Sequence, residues 1–400
     1  MTAARHYDVI VSGGGTAGHV SPSLAVARAL VDAGHEPAAV HFVGSRRGME
    51  GRLVPQAGFE VTLLPGRGIE RRVSLRNLVT VAGLGVALLR ATVIVARHRP
   101  AVVVAVAGYA SVPCALAAWL LRVPVVVVNI DAVPGVANRL VARFAVASAV
   151  ALPGTGLARA VVTGAPVRPE ILAVDRDPGG RAAARAALGI GDGRLVVVVT
   201  GGSLGARTLN DSAVGLTSLF RDRGDVTVYH VCGTRNYEML DARMRGAGVG
   251  VRSAAPGALD YRLVAYEDEM ATVLAACDLL VARAGASTVA EVTVAGVPSV
   301  LVPLPGAPSD HQRHNAERLA GFGAAIVLDD AQCTPDRLAA IVDELGSDPA
   351  KLAAMGTAAR SLGRRDAGAR IAALVDDVAA RRRPAGGTGA AAATGREERG

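Results

Sequence analysis

Two glycine-rich turns, Gly13-Gly14-Gly15-Thr16-Ala17-Gly18-His19 and Gly201-Gly202-Ser203-Leu204-Gly205-Ala206, each follow an apolar β-type run and open a helical pattern, one in each half of the chain. Glycine lets the backbone approach a phosphate, and the helix N-terminus behind such a turn attracts negative charge. One such turn suits any nucleotide-binding α/β domain. Two of them, nearly 190 residues apart in a chain of 400, predict two similar domains facing a shared cleft.

Hydrophobic residues make up 51% of the chain but aromatics only 3%, so Ala, Val, Leu and Gly must build the interior. That composition suits parallel strands buried on both faces by helices. The formal charge of +8 comes almost wholly from arginine, since Lys351 is the only lysine. No Arg-aromatic platform or DNA-reading motif accompanies the charge, which argues against nucleic acid and leaves phosphates, on a small ligand or a membrane surface, as partners. Cys114, Cys232, Cys277 and Cys333 form no C-x-x-C pair and read as buried small residues in a reducing compartment. No export signal precedes the first strand, so a cytoplasmic location is expected. Ala101 to Leu121 carries no charge over 21 positions, the length of a membrane span. The β-branched run Val102 to Val106, the turn Gly108 to Pro113 and the apolar run Cys114 to Leu121 instead predict a buried βα unit.

Strands are expected near Asp8–Val11, Ala38–Val43, Val61–Leu64, Ala101–Val106, Val123–Asn129, Ala147–Ala151 and Val161–Thr163, with helices such as Ser21–Ala33 and Leu75–His98 between them. The alternation restarts with strands at Leu195–Thr200, Val226–Cys232, Arg262–Ala265, Leu279–Ala282, Ser299–Pro303 and Ala325–Leu328. This order predicts an α/β protein of two Rossmann-like, doubly wound domains facing a cleft. The Gly- and Pro-containing segment Gly164 to Pro169 is the expected hinge. The domains are accordingly placed at 1–165 and 166–355, with a helical segment at 356–383 and a disordered tail at 384–400.

Gly13, Gly15 and Gly18 also match the dinucleotide G-x-G-x-x-G, making an NAD(P)-dependent oxidoreductase the rival reading. The next strand ends in Gly44-Ser45-Arg46-Arg47, not in the acid that grips a ribose, although arginines can take a 2′-phosphate. No Gly-Lys-Ser/Thr follows either turn, which excludes a Walker A loop. The second half is denser: Arg283-Ala284-Gly285-Ala286-Ser287-Thr288-Val289-Ala290-Glu291 predicts a third helix N-terminus for phosphate, with Glu291 able to accept from ribose hydroxyls. Asp310-His311-Gln312 and Asn315-Ala316 put polar groups at a further loop-to-helix junction.

Taken in order with Ala107-Gly108-Tyr109-Ala110-Ser111 and Pro134-Gly135-Val136-Ala137-Asn138, these motifs resemble the MurG family of GT-B glycosyltransferases over about Val9 to Ala373. The resemblance implies transfer of N-acetylglucosamine from UDP-GlcNAc to undecaprenyl-diphosphate-linked N-acetylmuramoyl-pentapeptide in peptidoglycan synthesis. It also implies an N-terminal acceptor domain, a C-terminal donor domain, and an inverting reaction without metal or cofactor. By similarity, Ser203 and Arg168 face the diphosphate, and Ala286, Ser287, Thr288, Val289, Ala290 and Glu291 meet phosphate and ribose. Gln312 contacts the sugar, and Glu267 stands where the uracil is read. Thr16, Ala17 and Gly18 approach the sugar across the cleft, while Tyr109 and Asn129 belong to the substrate-binding set.

Displacing UDP by a hydroxyl needs a base for the nucleophile and positive potential for the departing diphosphate. His19 is the candidate base, since a helix N-terminus disfavours its charged form; Asp131 is the second candidate. The one D-x-D, Asp175-Arg176-Asp177, reads as solvated loop charge and Glu267-Asp268-Glu269 as a helix N-terminal cap, so no metal site is assigned. Val128-Asn129-Ile130-Asp131 departs from the family's His-Glu-Gln-Asn, Ala165 from Asn, and Leu204 from Gln. These departures keep a MurG-like transferase with another acceptor, or a silent UDP-sugar binder, as alternatives. Finally, Arg67, Arg71, Arg72 and Arg76 precede an apolar helix that suits an anionic cytoplasmic leaflet; the plainer expectation is that this helix covers the sheet.

Overall fold

A computed structural model describes residues 8–14, 17–65, 75–246, 252–253 and 257–382. The first sheet holds β1 (Val9–Ser12), β2 (Val40–Ser45), β3 (Glu60–Leu64), β4 (Val102–Ala105), β5 (Val125–Asn129), β6 (Ala147–Val150) and β7 (Ala160–Val162). All are parallel, in the order 3-2-1-4-5-6-7. Helices α1 (Ala17–Asp32), α2 (Glu50–Gln56), α3 (Leu75–His98), α4 (Ser111–Leu120) and α5 (Val136–Val141) connect them. The second domain opens with α6 (Pro169–Leu172) and α7 (Pro178–Leu188). It continues through β8 (Leu195–Thr200), α8 (Arg207–Leu219), β9 (Val226–Val231), α9 (Tyr237–Gly246), β10 (Arg252–Ser253), β11 (Asp260–Val264), α10 (Met270–Ala276) and β12 (Leu279–Ala282). Then come α11 (Ala286–Ala295), β13 (Ser299–Leu301), α12 (His311–Ala320), β14 (Ala325–Val327), α13 (Pro335–Gly346), α14 (Pro349–Leu362) and α15 (Ala367–Arg382).

The second sheet runs 10-11-9-8-12-13-14, and only β10 is antiparallel. Leaving out β7 and β10, the two sheets have the same doubly wound order. Strand direction of winding reverses between β1 and β4 and between β8 and β12, the crevices where α/β sheets bind ligands. The glycine turns leave the sheets at these two points.

Valine explains the sheets: β4, β5 and β8 are runs of Val with almost no exposed surface, stiff at χ1 and packed on both faces. The uncharged stretch after residue 100 resolves into β4 and α4, and among the described residues no helix is long and apolar enough to cross a membrane. The four cysteines are buried and unpaired.

Two features depart from expectation. Residues 355–356 lie inside α14, and the change of partner comes at α15, whose Ile371, Ala372 and Val375 are buried in the N-terminal core with Val9, Val11 and Val104. The Asp376 carboxylate, 2.8 Å from His35 Nε2, holds the same helix. Helix α3 buries Ala87, Ala91 and Val95, but Val86, Leu89 and Val93 stand exposed, so covering the sheet occupies only one of its faces. Residues 66–74 and 383–400, which include most of the arginine-rich segment and the whole tail, lie outside the described residues.

Because α15 completes the N-terminal core, Ile371→Ala should destabilise that domain by about 2–5 kcal/mol. Trp119, the one tryptophan, reports N-terminal unfolding in urea. Its transition should move to lower urea, and an unmoved transition would show that α15 adds nothing to this core.

Candidate functional site

At the first switch point, Gly14 N–H donates to the Ala107 carbonyl at 3.1 Å. Gly108 has φ +89°, and a Cβ there would lie 2.0 Å from the Gly14 oxygen, so the β4 loop accepts no side chain beneath the turn. Beside the turn lies the buried Glu50 of α2: one carboxylate oxygen accepts from Ser45 N–H at 2.9 Å, and the other is buried without a hydrogen-bond partner among the described residues. His19 is the third residue of α1. Burial lowers its pKa below 6.5, the Asp131 carboxylate raises it, His311 opposes, and Glu50 raises it. The imidazole is therefore neutral at pH 7 and able to accept a proton.

At the second switch point, Gly205 has φ +71° and closes its turn through an N–H bond to the Gly202 carbonyl at 2.9 Å. A Cβ on Gly205 would meet the Cys232 carbonyl at 2.1 Å. Helices α8 and α11 begin at Ala206 and Gly285 without a side-chain cap, leaving first-turn N–H groups for a ligand. The space in front is a cavity of about 160 Å³ lined by Arg168, Gly202, Ser203, Tyr266, Glu267, Thr288 and Glu291, with Ser21 contributed from the N-terminal domain.

The expected site residues separate by geometry. Arg168 Nη2 reaches Glu291 Oε1 at 3.2 Å, so the acid assigned to ribose also carries the arginine. Burial raises the Glu291 pKa and Arg168 lowers it. Glu267 does not cap α10 through its first turn; it accepts from Tyr229 Oη at 2.5 Å and from Glu269 N–H at 2.8 Å, fixing the loop that carries Tyr266. Ser287 Oγ donates to the Gly18 carbonyl at 3.1 Å, joining the N-terminal turns of α11 and α1 across the domains. Ala286, Val289 and Ala290 face the buried seam beneath α11, because a helix turns three of six consecutive residues away from any one ligand. Gln312 spends its carbonyl on Leu304 N–H at 3.0 Å. Tyr109 donates to the Pro65 carbonyl at 3.0 Å, away from the donor cavity. Thr16 lies outside the described residues, and Ala17 begins α1.

Asn129 is buried, and its amide donates to the Asp131 carbonyl at 2.7 Å while its own carbonyl accepts from Asn138 at 3.1 Å. Val128 is in the core and Ile130 packs against it. Within the departing loop 128–131, the Asp131 carboxylate accepts from the donor-domain Asn315 amide at 3.2 Å. The D-x-D reading also changes: Arg176 is not a solvated charge but donates to the carbonyls of Leu274 and Cys277 at the end of α10. Among the described residues no cluster of three His, Cys, Asp or Glu side chains is placed to hold a metal. Sequence reasoning missed Ser21, Glu50, Tyr266 and Asn315. Ser21, Tyr266 and Asn315 each stood inside a motif, Val20-Ser21-Pro22, Tyr266 to Met270 and Asn315-Ala316, without being given a role; Glu50 carried no signal.

The glycosyltransferase family 28 N-terminal domain model matches residues 9–150, and the family 28 C-terminal domain model matches residues 196–371. A protein of Clavibacter sepedonicus named UDP-N-acetylglucosamine–N-acetylmuramyl-(pentapeptide) pyrophosphoryl-undecaprenol N-acetylglucosamine transferase is 41% identical, covering 94% of this chain and 98% of its own. The protein of the same name from Desulforudis audaxviator is 38% identical over 89% of this chain and 94% of its own. The crystal structure of Acinetobacter baumannii MurG superposes with a TM-score of 0.71 at 29% identity, covering 93% of this chain and 99% of that one. The chain belongs to the MurG family. It is a glycosyltransferase of GT-B fold, and the oxidoreductase reading falls, because both glycine turns lie within glycosyltransferase family 28 domains and the relatives are named as transferases.

Arg168 is the only ion-pair partner found for Glu291 among the described residues, so Arg168→Ala should push the Glu291 pKa further up. A carboxyl titrating higher folded than unfolded loses stability as pH rises from its unfolded toward its folded value. The variant should therefore lose more stability than wild type between acidic and neutral pH in urea titrations. Parallel pH profiles would contradict the pairing.

Proposed function

We propose that this protein transfers N-acetylglucosamine from UDP-GlcNAc to the undecaprenyl-diphosphate-linked N-acetylmuramoyl-pentapeptide, as its MurG relatives are named for doing. The observation that carries the reading is one donor cavity holding Arg168, Ser203, Tyr266, Thr288 and Glu291 between two uncapped helix N-termini, with His19 on the facing domain. Uracil sits by the Tyr266–Glu267 loop, ribose on Glu291, and the diphosphate on the Ser203 turn, the first turn of α11 and Arg168.

In the reaction the acceptor hydroxyl attacks the anomeric carbon, the carbon–oxygen bond to the β-phosphate breaks, and the hydroxyl proton passes to the His19 imidazole. The negative charge of UDP falls on helix N-termini and a guanidinium, which is where preorganised dipoles lower a barrier most. The Asp131 carboxylate stabilises the imidazolium formed. A single displacement inverts the sugar's configuration.

Mass-spectrometric transfer to a short-chain lipid I analogue tests this. His19→Ala should lower kcat by about 10²–10⁴ with UDP affinity retained, and Glu291→Ala should raise the donor KM. The acid limb of the wild-type kcat profile should lie below 6.5, because burial holds the His19 pKa down. Product formation untouched by both substitutions would overturn the site. UDP binding without any product would direct the reading to a different acceptor.

The acceptor lipid requires work at a membrane surface, on the cytoplasmic leaflet. Support comes from the exposed Val86, Leu89 and Val93 on α3 and Trp119 and Leu120 on α4, with Arg90 and Arg97 on α3 and Arg122 just past the end of α4. Flotation with anionic vesicles should carry the protein, and an Arg71/Arg72/Arg76 charge-reversal variant should float less. Equal flotation would remove the electrostatic part of the proposal.

A further inference from the structure

Asn315 is almost wholly buried one turn inside α12, in the donor domain, yet two of its hydrogen bonds cross to the acceptor domain. Its side-chain carbonyl accepts from Ala132 N–H at 2.8 Å. Its amide nitrogen donates to Asp131 Oδ1 at 3.2 Å and, within its own domain, to the Ala284 carbonyl at 3.1 Å. Asp131 closes the loop after β5, and Ala284 leads into α11. One primary amide thus joins three pieces of chain: the acceptor-domain loop, the donor-domain strand exit and α12. From the acceptor side the same loop is braced by Asn129 and Asn138.

We propose that Asn315 is a positioning residue for the transfer, clamping Asp131 beside His19 only when the two domains are closed. This deepens the transferase reading and rests on it for the role of His19. An asparagine suits the task because it supplies a donor to the carboxylate and an acceptor to the neighbouring amide at once, without adding charge. Broken, the clamp leaves Asp131 free to turn toward water and leaves the Ala132 N–H and Ala284 carbonyl without this partner, which penalises the closed arrangement. Residues His311 and Gln312 sit one turn before Asn315 on α12, so a donor sugar touching that turn bears directly on the clamp. Among the described residues, the titratable groups that act on His19 are Asp131 from the β5 loop, His311 from α12 and Glu50 from α2. Among these, Asn315 holds only Asp131, and losing that carboxylate removes a contribution that raises the His19 pKa.

The test is an NMR titration of the His19 ring in the full-length protein, for wild type, Asn315→Ala, Asp131→Asn and the double variant. Each single substitution should lower the His19 pKa, and the double should lower it no further than Asp131→Asn alone. Asn315→Ser, too short to span both partners, serves if the alanine variant does not fold. Transfer assays should show kcat falling about tenfold or more in Asn315→Ala, with UDP affinity within about twofold of wild type. A His19 titration unmoved by Asn315→Ala, or shifts that add in the double variant, would overturn the proposal. Because the titration does not need turnover, it reads the clamp even if the protein proves to use another acceptor; loss of UDP binding by wild type would instead sink the transferase reading.

Discussion

The uncapped N-termini of helices converging on one cleft are the constraint from which the rest of the structure follows. Helices α8 and α11 enter it uncapped from the donor sheet, α1 meets them from the acceptor sheet, and the Ser287–Gly18 bond holds α11 and α1 together across the domains. Like ends of helix dipoles brought together repel, and their first-turn N–H groups need partners. A diphosphate satisfies both demands with one ligand. The glycines at each switch point keep side chains out of the space, and Arg168, paired with Glu291, adds a positive charge beside it.

Polar contacts of fixed direction hold the domains around such a cleft. The seam uses amides: Asn129, Asn138 and Asn315 bond backbone and one another around Asp131. Apolar seams close without direction, whereas amide bonds close in one register. Helix α15 ties the assembly from behind, since the chain leaves the donor domain and finishes in the acceptor core.

The parts legible in the sequence are those with local causes. Strands Leu195–Thr200 and Leu279–Ala282 and the helix Leu75–His98 fall where their periodicity places them, because runs of Val and sustained apolar helical spacing encode themselves. The glycine turns were readable for the same reason. Non-local facts were not. The pattern of α15 says that it buries one face, not which sheet covers it, and the two-residue β10 has no periodicity to read. Glu50 looks like a surface polar residue on a helix and Asn315 like one more polar member of its motif; only the fold reveals that glycines make room for the first and a facing domain satisfies the second. Arg176, read as loop charge, caps a helix that lies about a hundred residues away.

Amide hydrogen exchange with and without saturating UDP tests the central claim most directly. The account requires slowed exchange in the turn from Gly202 to Thr208 and in the first turn of α11, Ala286 to Val289, together in one binding event. Exchange unchanged at both helix N-termini while UDP is bound would contradict it.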